Sequence, residues 1–387
     1  MYSLPYIFFF FYLLFFSFPI NTLKNNNHFF KERILFVFIG LIFFIGLRGY
    51  VFSDWSAYYT IYKNAPTLLD GINSIINFFK YYSFEDGFSF YLIIVKTISH
   101  KYIFFQCFSF IIDFIILYIF FKKYIPNYII LGFIFFYLFG GLILSINLFR
   151  NIKSILLFLI SLEYCNKRKI TPYLLLNILG LLFHISSLLY LPLYFLLNYT
   201  FSKKIIICIF ILGNIIYLLQ IQWAKEIIYL IASNINNRLG SLTIKYLDSK
   251  RYSSEYGITI GYIERLFTFF LIFIFYRRLI KNKPENRIFI NLLFIYNFIF
   301  LYFSEISIIL ERLPYLFICS YWILYPQIYG FLSKKNKYVF LLLLIPYTIL
   351  KLISGYNTVI CDYDNILTGY KSYNERLKIL NNYINQN

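Results

Sequence analysis

Charged residues are scarce in this sequence. Asp, Glu, Lys and Arg make up 14% of the 387 residues, whereas soluble proteins average about a quarter. Hydrophobic residues reach 60%, and apolar runs long enough to cross a bilayer recur from end to end. The chain has too little polar surface to cover a water-soluble body. The composition therefore predicts an all-α, polytopic membrane protein, because backbone polar groups in lipid must be satisfied within each helix.

Cysteine and histidine are also sparse. The five cysteines are scattered and form no C-x-x-C pair, so they indicate neither a disulfide framework nor a zinc site. The three histidines lie far apart, which argues against a transition-metal centre. No P-loop, G-x-G-x-x-G or H-E-x-x-H is present, so ATP-driven transport and zinc proteolysis lack support. We expect neither a metal nor a cofactor.

Acidic residues number 17 against 36 Lys and Arg, which gives a formal net charge of +19. The basic residues are not gathered into one domain, so no nucleic-acid partner is expected. They form short clusters between apolar runs, as the positive-inside rule predicts for cytoplasmic loops. The clusters are Lys24/Lys31/Arg33, Lys122/Lys123, Lys167/Arg168/Lys169, Lys203/Lys204, Arg277/Arg278/Lys281/Lys283 and Lys334/Lys335/Lys337.

The apolar runs predict about 11–13 transmembrane helices in a single membrane domain over residues 1–387. The first span, 2–20, has its N-terminus outside. Residues 88–121 hold either one kinked span or a re-entrant helix followed by a span, and a hairpin lies within 171–198. The predicted external parts are the segment 48–87, the loop 223–260 and the tail 354–387.

The external segment 48–87 contains an amphipathic pattern. Apolar residues recur at helical spacing, with polar residues opposite, which predicts a helix lying in the outer interface. The apolar positions are Leu68, Leu69, Ile72, Ile75, Ile76 and Phe79. Such a helix would either cap the bundle or contact substrate, and the sequence favours neither.

Polar residues that the basic clusters do not explain begin with Arg48, at the end of the second span. Six residues later, Asp54 starts a helical stripe with Tyr58 and Tyr62 at four-residue spacing. A carboxylate can act as a base or bind sugar hydroxyls, and aromatic faces can stack on sugar rings. The alternative is an interfacial anchor, because Tyr and Arg are enriched at membrane boundaries.

Three further candidates lie on the predicted outer side. Glu85 precedes the third span, where an acidic residue would also favour a helix N-terminus. Arg150 forms a polar stripe with Asn147, Asn151 and Ser154 and offers a planar fork for phosphate or carboxylate, unless it belongs to a structural ion pair. His184 lies at the apex of the predicted hairpin, where its near-neutral pKa suits proton transfer.

Other charged residues give weaker signals. Glu264-Arg265 opens a span from the outside, and we expect the two to neutralise each other. Glu305 and Glu311-Arg312 bracket another outer boundary. Asp362-Tyr363-Asp364 is a D-x-D pattern, which many glycosyltransferases use to hold a metal and a nucleotide sugar. The predicted topology places it outside, where nucleotide sugars are absent.

The order of these motifs resembles the EpsG family, membrane polymerases of exopolysaccharide and O-antigen related in function to the Wzy polymerases. The resemblance covers roughly residues 40–330. Ser53, Asp86 and Ser187 depart from the family pattern. The similar stretches are G-L-R-G-Y-V-F-S-D-W-S-A-Y-Y (46–59), E-D-G-F (85–88), N-L-F-R-N-I-K-S (147–154), F-H-I-S-S-L-L-Y-L-P (183–192), G-Y-I-E-R-L (261–266) and E-R-L-P-Y-L (311–316).

The resemblance implies a metal-independent glycosyltransferase at the outer face of a bacterial cytoplasmic membrane. It would move a growing glycan from undecaprenyl pyrophosphate to the next lipid-linked repeat unit, in the company of membrane lipid, a flippase and a chain-length regulator. The implied base is Asp54 or Glu85, and His184 carries a proton or contacts sugar. Substrate-binding residues would be Arg48, Tyr58, Arg150 and Arg312.

Two other functions remain open at this stage. A membrane glycosyltransferase that adds one sugar from a polyprenyl-phosphate donor would also place carboxylates in a first external loop. A lipid-linked oligosaccharide flippase would have a similar number of helices and a cationic cavity but no chemistry. The clustering of carboxylates and arginines on one side favours an enzyme over a transporter. Acyl transfer is less favoured, because no acidic residue neighbours His184 in the sequence.

Overall fold

A computed structural model describes residues 1–17, 27–82, 84–234, 257–306 and 312–386. These residues are predominantly helical and form no strand, apart from isolated bridges that join Arg48 and Gly369 to Asn365. The chain groups into two compact units, one of residues 1–191 and 325–387 and the other of residues 192–324. The all-α class is confirmed.

The first unit holds the N-terminal half and the C-terminal tail. Its helices are α1 (Leu4–Ser17), α2 (Asn27–Leu41), α3 (Trp55–Asn64), α4 (Ile72–Tyr81), α5 (Asp86–Ile98), α6 (Tyr102–Tyr124), α7 (Ile129–Phe136), α8 (Leu142–Ile146), α9 (Phe149–Asn166), α10 (Ile170–Leu181), α17 (Lys334–Tyr356) and α18 (Tyr373–Gln386). Wider π-type turns extend α2 over Ile42–Gly46 and join α7 to α8 over Tyr137–Gly141. Short 3-10 turns cover Pro126–Tyr128, Ile185–Tyr190 and Val359–Cys361.

The second unit is built from fewer described elements. They are α11 (Leu193–Leu197), α12 (Lys203–Leu218), α13 (Trp223–Ser233), α14 (Ile260–Asn282), α15 (Asn286–Tyr302) and a 3-10 turn at Pro314–Leu316. Helix α16 (Cys319–Phe331) begins in this unit and ends in the first. Of the predicted loop 223–260, the first part is helical in α13, and residues 235–256 lie outside the described ranges.

Several helices are long and apolar enough to cross a membrane. Within the described ranges they are Tyr102–Tyr124, Pro126–Ile146 and Lys334–Tyr356, and the bent pair α12–α13 would make one more as a broken span with an angle of 83°. Shorter apolar helices are Leu4–Ser17, Ile170–Leu181 and Asn286–Tyr302. The polytopic membrane class is confirmed, whereas the count of 11–13 spans and the single domain stay predictions.

Residues 88–121 form two helices, not one. Helix α5 has 13 residues and ends at Ile98, and α6 has 23 residues and begins at Tyr102. At 1.5 Å per residue, α6 can span the hydrocarbon core and α5 cannot. The second of the two predicted arrangements, a shorter helix followed by a span, therefore fits the structure better.

The predicted hairpin in 171–198 is present and turns at His184. The amides of Phe183 and His184 both donate to the carbonyl of Gly180 at 3.0 Å. The hydroxyl of Ser187 then donates back to the carbonyl of Asn177 at 2.8 Å. A Cβ on Gly180 would lie 2.3 Å from the Ser187 hydroxyl, so this turn needs glycine at its point of closest approach.

The amphipathic helix of the external segment forms as α4 but begins at Ile72, later than the spacing suggested. Gly71 precedes it with a φ of 81°, a conformation that favours glycine. Phe78 is buried, whereas Leu69, Ile72 and Ile76 are exposed. The helix thus packs on the protein through Phe78 and the half-buried Ile75 and Phe79, and leaves other apolar side chains exposed.

The C-terminal tail folds back onto the segment that follows α2. Gly49 donates its amide to the carbonyl of Asp364, and Phe52 donates to that of Ile360, both at 2.9 Å. Helix α18 inserts Leu380 into an aromatic cluster that also contains Trp55. The predicted tail 354–387 is therefore packed structure that holds the backbone before α3.

Candidate functional site

An arginine and a glutamate form an ion pair at the start of α9. Nη1 of Arg150 donates to Oε2 of Glu85 at 2.6 Å, and the two side chains are 24% and 19% exposed. The guanidinium also lies 4.4 Å from the centre of the Phe84 ring. A guanidinium has five N–H donors. The contacts with Glu85 and with the Tyr58 hydroxyl occupy only some of them, which leaves others for a ligand. The structural pair considered from the sequence is present, in a partly accessible position.

Glu85 connects this pair to the hairpin. Its Oε1 accepts a hydrogen bond from the amide of Ile185 at 3.2 Å. Next along the chain, the amide of Phe88 donates to the carbonyl of Leu182 at 3.0 Å. A Cβ on Gly87 would lie 2.6 Å from that of Leu182, which explains the glycine of E-D-G-F. The sequence also suggested that an acidic residue here would stabilise a helix N-terminus. In the structure the exposed Asp86, in the first turn of α5, has that position.

His184 caps the 3-10 turn that follows the hairpin apex. Its Nδ1 accepts from the amide of Ser186 at 3.1 Å and lies 2.7 Å from the hydroxyl of the same serine. Because a backbone N–H can only donate, this contact assigns the acceptor role to Nδ1. The imidazole is therefore arranged to donate from Nε2 while Nδ1 holds the turn.

Asp54 lies at the beginning of α3 and is half-buried. Oδ1 of Asn147 accepts from the amide of Asp54 at 2.9 Å and from that of Ser53 at 3.4 Å. The Ser53 hydroxyl donates to Oδ1 of Asp54 at 3.1 Å. Just before them, Phe52 has a φ of 69°, which is strained for a bulky residue. The tail bond to Phe52 helps to hold this conformation.

Tyr58 joins the aspartate to the arginine. Its ring is buried between those of Phe88 and Phe149, at 5.8 and 5.2 Å. Burial raises the pKa of the Tyr58 phenol, the charge of Asp54 adds to that rise, and the Arg150 guanidinium opposes it. Tyr58 is thus within electrostatic reach of both groups. Tyr62, predicted on the same stripe, is instead buried and donates to the carbonyl of Ser99 at 2.6 Å.

Arg48 has a structural environment. Its side chain is 1% exposed. The guanidinium donates to the carbonyl of Ile45, in the π-type turn that ends at Gly46, and at 3.2 Å to that of Ile146, the last residue of α8. A cation at helix C-termini offsets their partial negative charge. A ligand would reach this group only after these contacts opened.

The remaining outer-side candidates belong to the second unit. Arg312 is exposed, and Glu311 lies outside the described residues. Arg265 donates to the carbonyl of Gly261 at 2.8 Å and lies 3.9 Å from the centre of the Phe300 ring. Oε1 of Glu305 accepts from the amide of Ala224 at 2.6 Å.

The D-x-D carboxylates contact basic side chains of the tail itself. Arg376, which is 2% exposed, lies 3.1 Å from Oδ2 of Asp364 and 3.8 Å from that of Asp362. Lys371 contacts Asp362 at 2.6 Å. Across the described ranges, no three His, Cys, Asp or Glu side chains come together as metal ligands.

Sequence reasoning missed a second ion pair, between Lys153 and Asp113. Nζ and Oδ1 are 2.5 Å apart, and both side chains are buried. Their sequence signals were available: Asp113 interrupts the apolar run of α6, and Lys153 lies one turn after Arg150 on α9. An ionisable residue inside an apolar span usually has a partner or a function.

Comparison with known proteins gives one match. The model of the EpsG family matches residues 33–368, a range that includes Asp54, Glu85, Arg150, His184 and Arg312. No curated protein and no solved structure matches the chain.

Proposed function

We propose, because this chain belongs to the EpsG family and is a membrane protein of polysaccharide biosynthesis, that it joins lipid-linked repeat units into a polysaccharide. The donor would be a growing glycan on undecaprenyl pyrophosphate, and the acceptor a lipid-linked repeat unit. The product would be O-antigen, capsule or exopolysaccharide. The observation that carries this proposal is the Arg150–Glu85 pair, which lies beside the hairpin of His184. Arg150 also interacts with Tyr58, which in turn is within electrostatic reach of Asp54.

The reaction requires one proton transfer and one leaving group. A hydroxyl of the acceptor sugar attacks the anomeric carbon of the donor, the bond from that carbon to the pyrophosphate oxygen breaks, and the hydroxyl proton passes to a base. We assign the base to Asp54. Its backbone is fixed by Asn147, and its side chain is half-buried at the beginning of α3, so a carboxylate is held in position to accept a proton.

Arg150 would stabilise the leaving pyrophosphate. Negative charge develops on the leaving oxygen in the transition state, and a prearranged guanidinium lowers its energy without reorganising. Glu85 is then a positioning residue, because its two oxygens hold both Arg150 and the backbone after His184. His184 would donate a hydrogen bond from Nε2 to a sugar or phosphate oxygen, since Nδ1 already accepts from the backbone.

The other predicted binding residues take different roles. Tyr58 would contact the substrate only through its hydroxyl, because its ring is packed between two phenylalanines. Arg48 would position the backbone before Asp54 instead of binding pyrophosphate, since its guanidinium contacts two helix ends. Arg312 is exposed in the second unit, and its role as a substrate-binding residue stays a prediction from the E-R-L motif.

The proposal places this chemistry at the outer face of the cytoplasmic membrane of a bacterium. Its basis is the topology predicted from the sequence, which assigns the basic clusters to the inner side. The same prediction assigns Asp54, Glu85 and His184 to the opposite side. A flippase would supply the repeat units, and a chain-length regulator would act with the polymerase.

Substitution of Arg150 tests the proposal. Arg150→Ala should leave single lipid-linked repeats and abolish long chains, because losing one transition-state donor costs about 10²–10³ in rate. Arg150→Lys keeps the charge but not the fork, so we expect short chains at low yield. Arg277→Ala removes an exposed arginine and serves as the matched control. The measurement is polymerisation of purified lipid-linked repeats, resolved by length.

The same assay separates the alternatives. A normal length distribution from Arg150→Ala would overturn the assigned role. In cells lacking the protein, repeats that lack one sugar would indicate a single-sugar transferase instead. Complete repeats trapped on the inner leaflet would indicate a flippase.

A further inference from the structure

A groove lined by tyrosines lies in the first unit. Its volume is about 790 Å³, within the roughly 300–1,000 Å³ typical of small-molecule sites. We call it the tyrosine groove. Its lining includes Tyr50, Tyr59, Tyr62, Tyr102, Tyr370, Lys63, His100 and Lys101, with Leu47, Ile103, Phe104, Cys107 and Ile366.

The rings of the tyrosine groove pack against one another, with Tyr50, Tyr62 and Tyr102 buried and Tyr59 and Tyr370 accessible at the surface. Tyr50 lies edge-on to Tyr59 and Tyr370, with ring centres 5.7 and 6.1 Å apart, and Tyr59 lies edge-on to Tyr102 at 5.4 Å. Tyr370 is 43% exposed, and Tyr59 is half-buried. Tyrosine has an apolar face and a polar edge, the combination that suits a sugar ring with its C–H faces and hydroxyl rim.

The groove is also basic. Lys63, His100 and Lys101 are exposed along it, and the described lining contains no Asp or Glu. Lys96 lies nearby and donates to the carbonyl of Lys63 at 3.2 Å. Among the acidic residues nearby, Asp70 is within electrostatic reach of His100 and binds the amide and hydroxyl of Thr67, and Asp364 pairs with Arg376. The balance is cationic.

These cations are not topology signals. Lys63, in the predicted external segment, and Lys101, just before α6, lie on the predicted outer side. The positive-inside rule accounts for basic residues on the opposite side. Exposed cations beside aromatic faces instead complement a ligand that is apolar on its faces and negatively charged at its edge.

Helix α3 connects the groove to the candidate site. Asp54 and Tyr58 lie one turn apart on it, and Tyr59 and Lys63 lie one turn apart on the adjacent stripe. A chain bound in the groove would therefore lie against the helix whose first turn carries the proposed base.

We propose that the tyrosine groove binds the polysaccharide chain itself and that this polysaccharide is acidic, with carboxylate groups on its sugars. The accessible tyrosines, Tyr59 and Tyr370, contact the sugar rings, and Lys63 and Lys101 contact the carboxylates. The inference rests on the proposed polymerase function, for which it names the class of substrate. Holding the chain beside α3 keeps it near the site between additions.

The binding experiment uses the full-length protein in nanodiscs and two probes of equal length, hexagalacturonate and neutral maltohexaose. Hexagalacturonate should bind. Lys63→Ala/Lys101→Ala should weaken that binding about fivefold, and Tyr370→Ala by about two- to tenfold. Lys80→Ala and Tyr81→Ala, exposed residues of α4 outside the groove, should leave the affinity unchanged.

Three results would overturn the inference. They are the absence of hexagalacturonate binding, equal affinity for maltohexaose, and unchanged affinity in the groove variants. Chain length provides a second readout: the groove variants should still polymerise repeats but make shorter chains, whereas Arg150→Ala should make none. If the groove variants bind and polymerise like the wild type, the groove inference is refuted and the polymerase function is not. A normal polymer from Arg150→Ala refutes the polymerase function separately.

Discussion

Asp113 and Lys153 form an ion pair between α6 and α9, and we expect that neither can be removed alone. Their side chains are 2% and 8% exposed, with Nζ and Oδ1 2.5 Å apart. Nζ also donates to the carbonyl of Ser109 at 3.1 Å and lies 5.4 Å from the centre of the Tyr91 ring. Asp113 stands at the middle of the 23-residue α6, so an unpaired charge there has no access to water.

The expected magnitude follows from these distances. At 2.5 Å and an effective dielectric constant of about 20, the attraction is about 7 kcal/mol. Transfer of each ion from water costs several kcal/mol, so the intact pair contributes little net stability. Removing one partner keeps the desolvation cost of the other and loses the attraction. Asp113→Leu or Lys153→Met should therefore each destabilise the protein by about 3–5 kcal/mol, whereas the double variant should be near neutral.

Equilibrium unfolding in mixed micelles, followed by tryptophan fluorescence, gives the free energy of unfolding of the wild type, the two single variants and the double variant. Lys122→Met replaces an exposed lysine at the end of the same helix and should change stability by less than about 0.5 kcal/mol. Single variants within about 1 kcal/mol of wild type would refute the reasoning. So would a double variant as unstable as the worse single one, since the two charges would then not be coupled.

Other contacts lead to further expectations. Arg376→Ala should destabilise the protein by about 3 kcal/mol, because Asp364, whose side chain is 10% exposed, loses its guanidinium partner; limited proteolysis should then cut α18 early, and an unchanged digestion pattern would contradict this. Asn147→Ala removes the acceptor for the amide of Asp54 and should cost about 1–3 kcal/mol and reduce polymer yield, whereas wild-type yield would argue that Asn147 does not position the site. Gly87→Ala forces a Cβ to within 2.6 Å of Leu182 and should abolish long chains, measured as repeat-length ladders. A wild-type ladder would contradict the need for glycine at this contact.

Much of the fold could be predicted because its determinants are local. Apolar length identifies helices such as α6, spacing identifies α4, and the F-H-I-S-S run marks the turn at His184. That Glu85 and Arg150 could lie near each other follows from the predicted topology, which assigns both to the same side. Their 2.6 Å contact could not be predicted, because it depends on tertiary packing between residues far apart in the sequence.

Arg48 shows why charge at a membrane boundary does not by itself indicate a ligand site. Its sequence neighbours, G-L-R-G-Y, suggest an arginine that faces the substrate. In the structure the guanidinium lies where the turn after α2 meets the end of α8, and the exposed carbonyls there need donors. That need arises only once the two helix ends are brought together, so no pattern around residue 48 reveals it.

The acidic motif of the tail makes the same point about chemistry. Asp362 and Asp364 have the spacing that a metal–nucleotide site uses, yet Arg376, from the following helix, contacts both. The family match ends at residue 368, before that helix begins at Tyr373. Even so, the segment these carboxylates belong to bonds to Gly49 and Phe52, immediately before Asp54. The tail is therefore part of the framework of the candidate site, and its acidic residues act there by fixing backbone through an arginine.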